Sequence, residues 1–203
     1  MKGKFITFEG SEGCGKSTQA KLLCGYLKRQ GYEVVFLREP GGTEINEKIR
    51  KILLDKKNKS LSAECEMMLY MSSRAQIVEE IIKPALKDEK IVVCDRFLDS
   101  TLAYQGYGLG VDIKLIKDIG NFVTQGIKPH LTILLDVALK KGLGYRAASQ
   151  DRIEQRSLRY HRKVREGYFK LAALEPKRIK VVRVAENKKV TQERIRKLVS
   201  DVI

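Results

Sequence analysis

Five short apolar runs punctuate the chain, at Lys4–Glu9, Glu33–Arg38, Ile91–Asp95, Leu131–Asp136 and Lys180–Ala185. Most are continuous instead of alternating, the pattern of strands buried on both faces of a parallel sheet. Between them apolar residues recur at helical spacing. Lys16–Gln30 is periodic and stops at Gly31, a residue suited to ending a helix. Glu44–Leu54 carries Ile45, Ile49, Ile52 and Leu53 on one side, and Ser62–Leu86 carries Met68, Ile77, Val78 and Ile81 before an interruption near Pro84. Asp112–Gln125, Glu154–Ala173 and Thr191–Val202 complete the predicted helices. Strands alternating with helices predict an α/β fold, a doubly wound, five-stranded parallel sheet with helices on both faces. Ligands of such sheets bind beyond the carboxyl ends of the strands, so the residues just after each strand carry the functional weight.

Composition narrows the picture. The chain has 203 residues with no repeat and no Pro/Gly/Ser-rich linker, which predicts a single domain over 1–203. With 43% hydrophobic and 32% charged residues it is not a disordered chain. No apolar run approaches the length of a membrane span, and the first ten residues meet charges and glycines, which argues against a secretory signal. Cys14, Cys24, Cys65 and Cys94 form no C-x-x-C pair and predict reduced thiols in a cytoplasm. His130 and His161 are too few for a histidine-based metal site. The net charge is +15, and residues 137–203 hold 19 basic against 7 acidic side chains. A solvated basic surface, a nucleic acid, an anionic membrane and a phosphorylated small ligand all fit such a tail, and composition does not choose among them.

The residues after the first run do choose. Gly10-Ser11-Glu12-Gly13-Cys14-Gly15-Lys16-Ser17, followed by Thr18 and a helix, matches G-x-x-x-x-G-K-[ST]. Glycines let backbone N–H groups turn around phosphate oxygens, and the helix aims its positive dipole end at the same anion. Lys16 is placed to reach the β- and γ-phosphates of ATP, and Ser17 to ligate Mg²⁺. The third run ends in Asp95-Arg96, offering a second carboxylate on the Mg²⁺ side beside a cation that can meet phosphate. Asp136 has the same local look without the cation. Cys14, near a helix N-terminus, predicts a lowered thiol pKa and a loop whose alkylation blocks ATP binding. A GTPase switch is disfavoured because no N-K-x-D motif occurs; Asn187-Lys188-Lys189-Val190 is the nearest approach.

With these segments in order, the sequence resembles the thymidylate kinase (dTMP kinase) family over essentially its whole length. The resemblance rests on Phe8 to Gln19, Arg38-Glu39-Pro40-Gly41-Gly42-Thr43, Tyr70 to Gln76, Asp95-Arg96-Phe97 with Ser100 to Gly106, and Asp151-Arg152-Ile153-Glu154. It implies transfer of the γ-phosphoryl group of ATP to dTMP, with Mg²⁺, and a homodimer with no nucleic-acid or membrane partner. It further implies Tyr70 stacked on thymine with Pro40 on the wall, and Arg74 donating to a thymine carbonyl. Thr101 and Gln105 would lie near the base, Tyr104 would exclude a ribose 2′-hydroxyl, and Glu12 would accept from the 3′-hydroxyl. Arg50 and Arg96 would hold the acceptor phosphate. A lid is expected at about 142–152, with Arg146 and Arg152 as catalytic arginines alongside Lys16 and Arg96. Gly13 stands where some members carry a loop arginine, which favours that lid arrangement, whereas Tyr145 sits where an arginine would be less surprising. Phe97 replaces a frequent tyrosine. A kinase for another nucleoside monophosphate or for a deoxynucleoside remains open, as does a P-loop protein whose basic C-terminal third grips nucleic acid.

Overall fold

A computed structural model describes residues 3–138 and 151–203. Five strands, β1 (Lys4–Glu9), β2 (Val34–Arg38), β3 (Ile91–Asp95), β4 (Leu131–Asp136) and β5 (Ile179–Arg183), form one sheet. Every neighbouring pair is parallel and the spatial order is β2-β3-β1-β4-β5, as the unbroken apolar runs predict. The described helices are α1 (Lys16–Arg29), α2 (Glu44–Leu54), α3 (Ala63–Ile77), α4 (Lys83–Lys87), α5 (Leu98–Thr101), α6 (Ile113–Val123), α7 (Leu158–Leu174) and α8 (Lys188–Ser200). π-Helical segments at Val78–Ile82 and Leu102–Gly108 extend α3 and α5.

Alternation along β1 sets the two layers. Ile6 and Phe8 pack on one face with Ala20, Leu23 and Leu27 of α1 and with Ile195 and Val199 of α8. Phe5 points to the other face, against Ile77, Val78 and Ile82. Beside it, Leu134 and Ile179 pack with Tyr168 and Leu171 of α7 and Leu102 of the second π segment. The register pairs Phe8 with Asp95 and Arg38 with Asp95, so β1, β2 and β3 end level with one another. From β1 the chain goes to the edge strand β2, returns to β3 beside β1, and then crosses β1 to β4 and β5, so the connections part at the carboxyl edge of β1.

Several predicted helices are redrawn. Ser62–Leu86 is not one uniform helix: the widened turn at Val78–Ile82 precedes Pro84, whose missing N–H is tolerated at the first turn of α4. α7 starts at Leu158, not Glu154, because Ser157 Oγ accepts the N–H of Tyr160 and caps it there. Leu98–Gly108 is helical although Gly106 and Gly108 hide any period; nearly all of it is buried. The predicted apolar stripes of α2 and α3 are split: Leu53 and Ile77 are buried as expected, but other members face outward. Ile45, Ile52 and Met68 are 50%, 46% and 47% exposed, while Asn46, Glu66, Ser73 and Arg74 are buried. The inward sides of these helices are mixed, with Leu53, Met67, Met71 and Ile77 buried beside the polar residues.

Close approach of α7 to the second π segment depends on Gly167, where an added Cβ would sit 2.7 Å from Cβ and Cγ of Tyr107. Gly25 on α1 meets nothing nearer than Arg29 Nη1 at 3.5 Å. Gly25→Ala should therefore raise stability by up to about 1 kcal/mol through helix propensity. Gly167→Ala should lower it by about 1–2 kcal/mol, overpacking outweighing the same gain. Urea unfolding of both variants measures the contrast, and equal shifts would contradict it.

Candidate active site

The phosphate loop closes on β1 and β4. Gly10, at φ 139°, lies so near the Leu135 carbonyl and Cys14 Sγ that a Cβ would collide with both. α1 then begins at Lys16 with no side-chain cap and no acidic residue in its first turn, leaving its N–H groups for an anion. Lys16 Nζ folds back to the Ser11 carbonyl at 2.9 Å and lies 3.7 Å from Cys14 Sγ. Ser17 Oγ donates to Asp95 Oδ2 across the β1–β3 crevice. Cys14 departs from expectation. It is 2% exposed and packed in the α1 face of the core, and burial raises its thiol pKa against the lowering effect of Lys16. Burial and the raised pKa both run against the reactive thiol expected from its place near the helix N-terminus.

A cleft of about 510 Å³ runs from Lys16 and Ser17 past Asp95 and Arg96 to Arg50, Tyr70, Thr101, Tyr104 and Gln105. Its centre is Arg96, held at φ 73°, a left-handed conformation uncommon outside glycine. Its N–H donates to Phe8 O at 2.9 Å, and Nη2 donates to Glu12 Oε1 at 2.7 Å and Tyr104 Oη at 3.0 Å. Tyr104 Oη in turn donates to the same Glu12 oxygen at 2.7 Å. Burial alone would raise the Glu12 carboxyl, but Arg96 and then Lys16 outweigh it and bring its pKa down to about 2. Beneath, Glu9 is fully buried and accepts from Phe97 N–H, Ser100 Oγ and Tyr168 Oη. Burial, aided by Asp99, raises its pKa to about 7. Phe97 lacks a hydroxyl and packs edge-on against Phe5, with centroids 4.9 Å apart.

Three more cationic groups approach from β2, α2 and α3. Arg50 Nη1 donates to Pro40 O at 2.9 Å, and burial, then the nearby Arg38, lowers its pKa. Arg38 pairs with Glu47 at 3.0 Å. Arg74 is 1% exposed, its Nε and Nη2 on Glu39 Oε2 at 2.9 and 2.8 Å and its Nη1 on Thr101 Oγ1 at 3.0 Å. Glu39 and Thr101 line the cleft, and Arg74 stands behind them.

The thymidylate kinase family model matches residues 8–195. The chain belongs to the thymidylate kinase family. A thymidylate kinase of Thermoanaerobacter sp. (strain X514) is 52% identical over 179 residues, covering 88% of each chain. That of Symbiobacterium thermophilum is 46% identical over 200 residues, covering 98% of this chain and 94% of its own. The crystal structure of thymidylate kinase from Ehrlichia chaffeensis superposes with a TM-score of 0.81 at 35% identity, covering 98% and 99% of the two chains.

Within this thymidylate kinase fold, one arginine lies away from the expected place. Arg152 is 8% exposed and does not reach over the phosphate loop; Nε donates to Leu53 O at 3.0 Å and Nη2 to Glu66 Oε2 at 2.6 Å. Its own N–H reaches Leu54 O, so both main chain and side chain are anchored to the end of α2. A buried carboxylate outcompetes solvent for a guanidinium, which sequence position alone does not reveal. Arg146 and most of the expected lid fall outside the described residues. Asp136, the other strand-end carboxylate, is occupied by Arg165 at 2.8 and 2.9 Å.

Sequence reasoning missed Arg38, Glu39, Ser100, Asp151, Ile153 and Glu154 as lining residues, although all of them lie in the segments that carry the family resemblance. It also missed a second cleft of about 530 Å³, sharing Gly13, Gly15 and Thr18 with the first and bounded by Gln19, Arg183 and Ala185. The strand-end rule, applied to β5, marks that wall.

The depressed Glu12 carboxyl makes stability depend on acid. Because its folded pKa lies below the ordinary 4.5, its contribution is complete above that pH and lost as pH falls toward about 2. Glu12→Gln should therefore melt below the parent near neutral pH, with the difference closing as pH drops through that window. A difference in Tm that stays constant with pH would refute the assignment.

Proposed function

We infer that the protein transfers the γ-phosphoryl group of ATP to dTMP, giving dTDP and ADP. The observation carrying this is the continuity of one cleft from a phosphate loop to a second set of arginines under a ring-, hydroxyl- and amide-lined pocket. The acceptor is a phosphomonoester, largely ionised at neutral pH with a second pKa of about 6, so no general base is required. Transfer then needs two polyanions positioned and their charge neutralised. The loop N–H groups would hold the donor phosphates, and Lys16 would leave the Ser11 carbonyl for the β- and γ-oxygens. Arg50 and Arg96 would hold the acceptor phosphate. Tyr70 would stack on the base with Pro40 on the wall, and Thr101 and Gln105 would supply polar contacts. Arg74, expected to reach a thymine carbonyl, is held behind Glu39 and Thr101 and would orient them instead. Glu12 would accept from the 3′-hydroxyl, and Tyr104, fixed beside it, would leave no room for a 2′-hydroxyl.

The residues at the loop fit Mg²⁺, which takes few protein ligands and keeps waters and phosphate oxygens. Ser17 and Asp95, already hydrogen-bonded to each other, would hold it. Bound there, the ion would neutralise triphosphate charge. The second cleft is suited to the ATP base, and a lid at about 142–152 would bring Arg146 over the donor within a single domain. A cytoplasmic location agrees with four free cysteines, three of them buried. No described helix is long and apolar enough to cross a membrane.

Turnover by coupled ADP release across dTMP, dUMP, UMP, AMP and thymidine tests the assignment. We expect dTMP to be the best acceptor and Lys16→Ala to lose at least about a hundredfold in kcat, in line with loss of a charge-stabilising group. Comparable use of AMP or thymidine, or near-normal turnover by the variant, overturns it.

A homodimer is proposed from the outward apolar sides of α2, α3 and α6. Ile45, Ile52, Met68, Leu115 and the 81%-exposed Phe122 lie on three helices that pack side by side. Sedimentation at micromolar concentration should give a dimer that Phe122→Asp shifts to monomer; a monomeric parent would refute it.

A further inference from the structure

Glu66 stands outside the cleft, yet three groups converge on it. It is fully buried on α3. Its Oε2 accepts from Arg152 Nη2 at 2.6 Å and Arg156 Nη2 at 2.7 Å. Its Oε1 accepts from Gln105 Nε2 at 2.8 Å. Arginine has no acceptor, so the two guanidinium groups demand an oxygen at the Oε2 position. An ionised carboxylate is acceptor-only, so its other oxygen demands the NH₂ end of the Gln105 amide. Gln105 lines the cleft. With one of its two amide N–H groups on Glu66, the Gln105 amide is held in one orientation, and its carbonyl oxygen is the acceptor it has left for a ligand.

We propose that Glu66 is a specificity-positioning residue, fixing the Gln105 amide so that the pocket accepts a base bearing an N3–H and rejects one whose N3 is an acceptor. The proposal rests on the cleft being the nucleoside monophosphate site. Thymine carries N3–H and can donate to that carbonyl; cytosine presents an N3 lone pair and would meet it acceptor to acceptor. Arg152 and Arg156 hold and orient the Glu66 carboxylate, which gives Arg152 its task in place of the lid role. The same two arginines tie the segment at 151–156, whose Asp151, Ile153 and Glu154 line the cleft, to the residue that sets base preference.

The geometry dictates an inversion. In Glu66→Gln, the arginines retain the new amide's oxygen, so its NH₂ faces Gln105 and the Gln105 amide turns, presenting a donor to the pocket. Adding Gln105→Glu then restores an acceptor facing the ligand, because the new carboxylate takes the NH₂ introduced at position 66 with one oxygen and offers the other. The experiment measures kcat/KM for dTMP and dCMP at saturating ATP, with circular dichroism and the KM for ATP as controls on folding. The unsubstituted enzyme should discriminate against dCMP. Glu66→Gln should lower the dTMP-to-dCMP ratio by about tenfold or more, the effect of one mispaired buried polar group. The double variant should recover most of that ratio, whereas Gln105→Glu alone, with two carboxylates facing each other, should not.

Equal losses on both acceptors, leaving the ratio unchanged, would mean that Glu66 only supports the fold and would overturn the proposal. So would a double variant no better than Glu66→Gln, or comparable kcat/KM for dCMP and dTMP in the unsubstituted protein. Failure of that protein to turn over any monophosphate would instead sink the functional assignment beneath it.

Discussion

Arg96 adopts a backbone conformation that its sequence would not choose. A non-glycine residue at positive φ costs on the order of 1–3 kcal/mol and persists only where its surroundings over-determine it. Here they do. The Arg96 N–H is fixed to Phe8, the next N–H to Glu9, and the guanidinium to Glu12, Tyr104, Ser100 and Tyr168. That turn at the end of β3 swings the side chain back over β1 and into the phosphate loop. Without it the cation would follow the strand direction away from the cleft, Glu12 would lose its partner, and Tyr104 would lose the charge that its hydroxyl accepts from.

The loop and the acceptor pocket are therefore one electrostatic unit. Glu12 belongs to the phosphate loop by sequence and to the acceptor pocket by contact, and Arg96 joins them. Glu9 supports the arrangement from below with a carboxyl whose raised pKa reflects its burial. Protonated or ionised, it has acceptor capacity for Phe97 N–H and for the two hydroxyl groups that also touch Arg96. The Arg96 guanidinium is in this way set above a buried carboxyl that reaches it through two shared hydroxyl groups.

The sheet and phosphate loop were legible because they follow from local rules: continuous apolar runs, and glycines at fixed spacing before Lys16 and Ser17. The rest of the cleft lining was legible only as an ordered resemblance, since Tyr70 and Gln105 have no local mark, and the same resemblance put Arg74 in the cleft although it lies behind the wall. What escaped was long-range pairing. Nothing near Arg152 in sequence announces that Glu66, on α3, will hold it, and nothing near Cys14 announces that β4 will bury it. The split stripes of α2 and α3 escaped for a related reason. Periodicity reports which side is apolar, but helices beside a cleft take polar groups such as Glu66 and Arg74 inward along with Leu53 and Ile77, and leave Ile45, Ile52 and Met68 outside.

The basic excess of the C-terminal third looks different once its partners are known. Arg165 is bidentate on Asp136, Arg178 is bidentate on Asp99, and Arg152 and Arg156 share Glu66. Four of the arginines behind the positive total are thus internal cross-links from the last third of the chain to β4, α5 and α3. The pairs on Glu66 and Asp99 are the more buried ones. Such pairs add little net stability, because desolvation offsets their attraction, but losing one partner leaves a buried charge and is costly. They act as locks on geometry more than as sources of folding energy. Two arginines on the single Glu66 carboxylate tie the chain after residue 151 to one point on α3, with a directionality that apolar contact alone lacks.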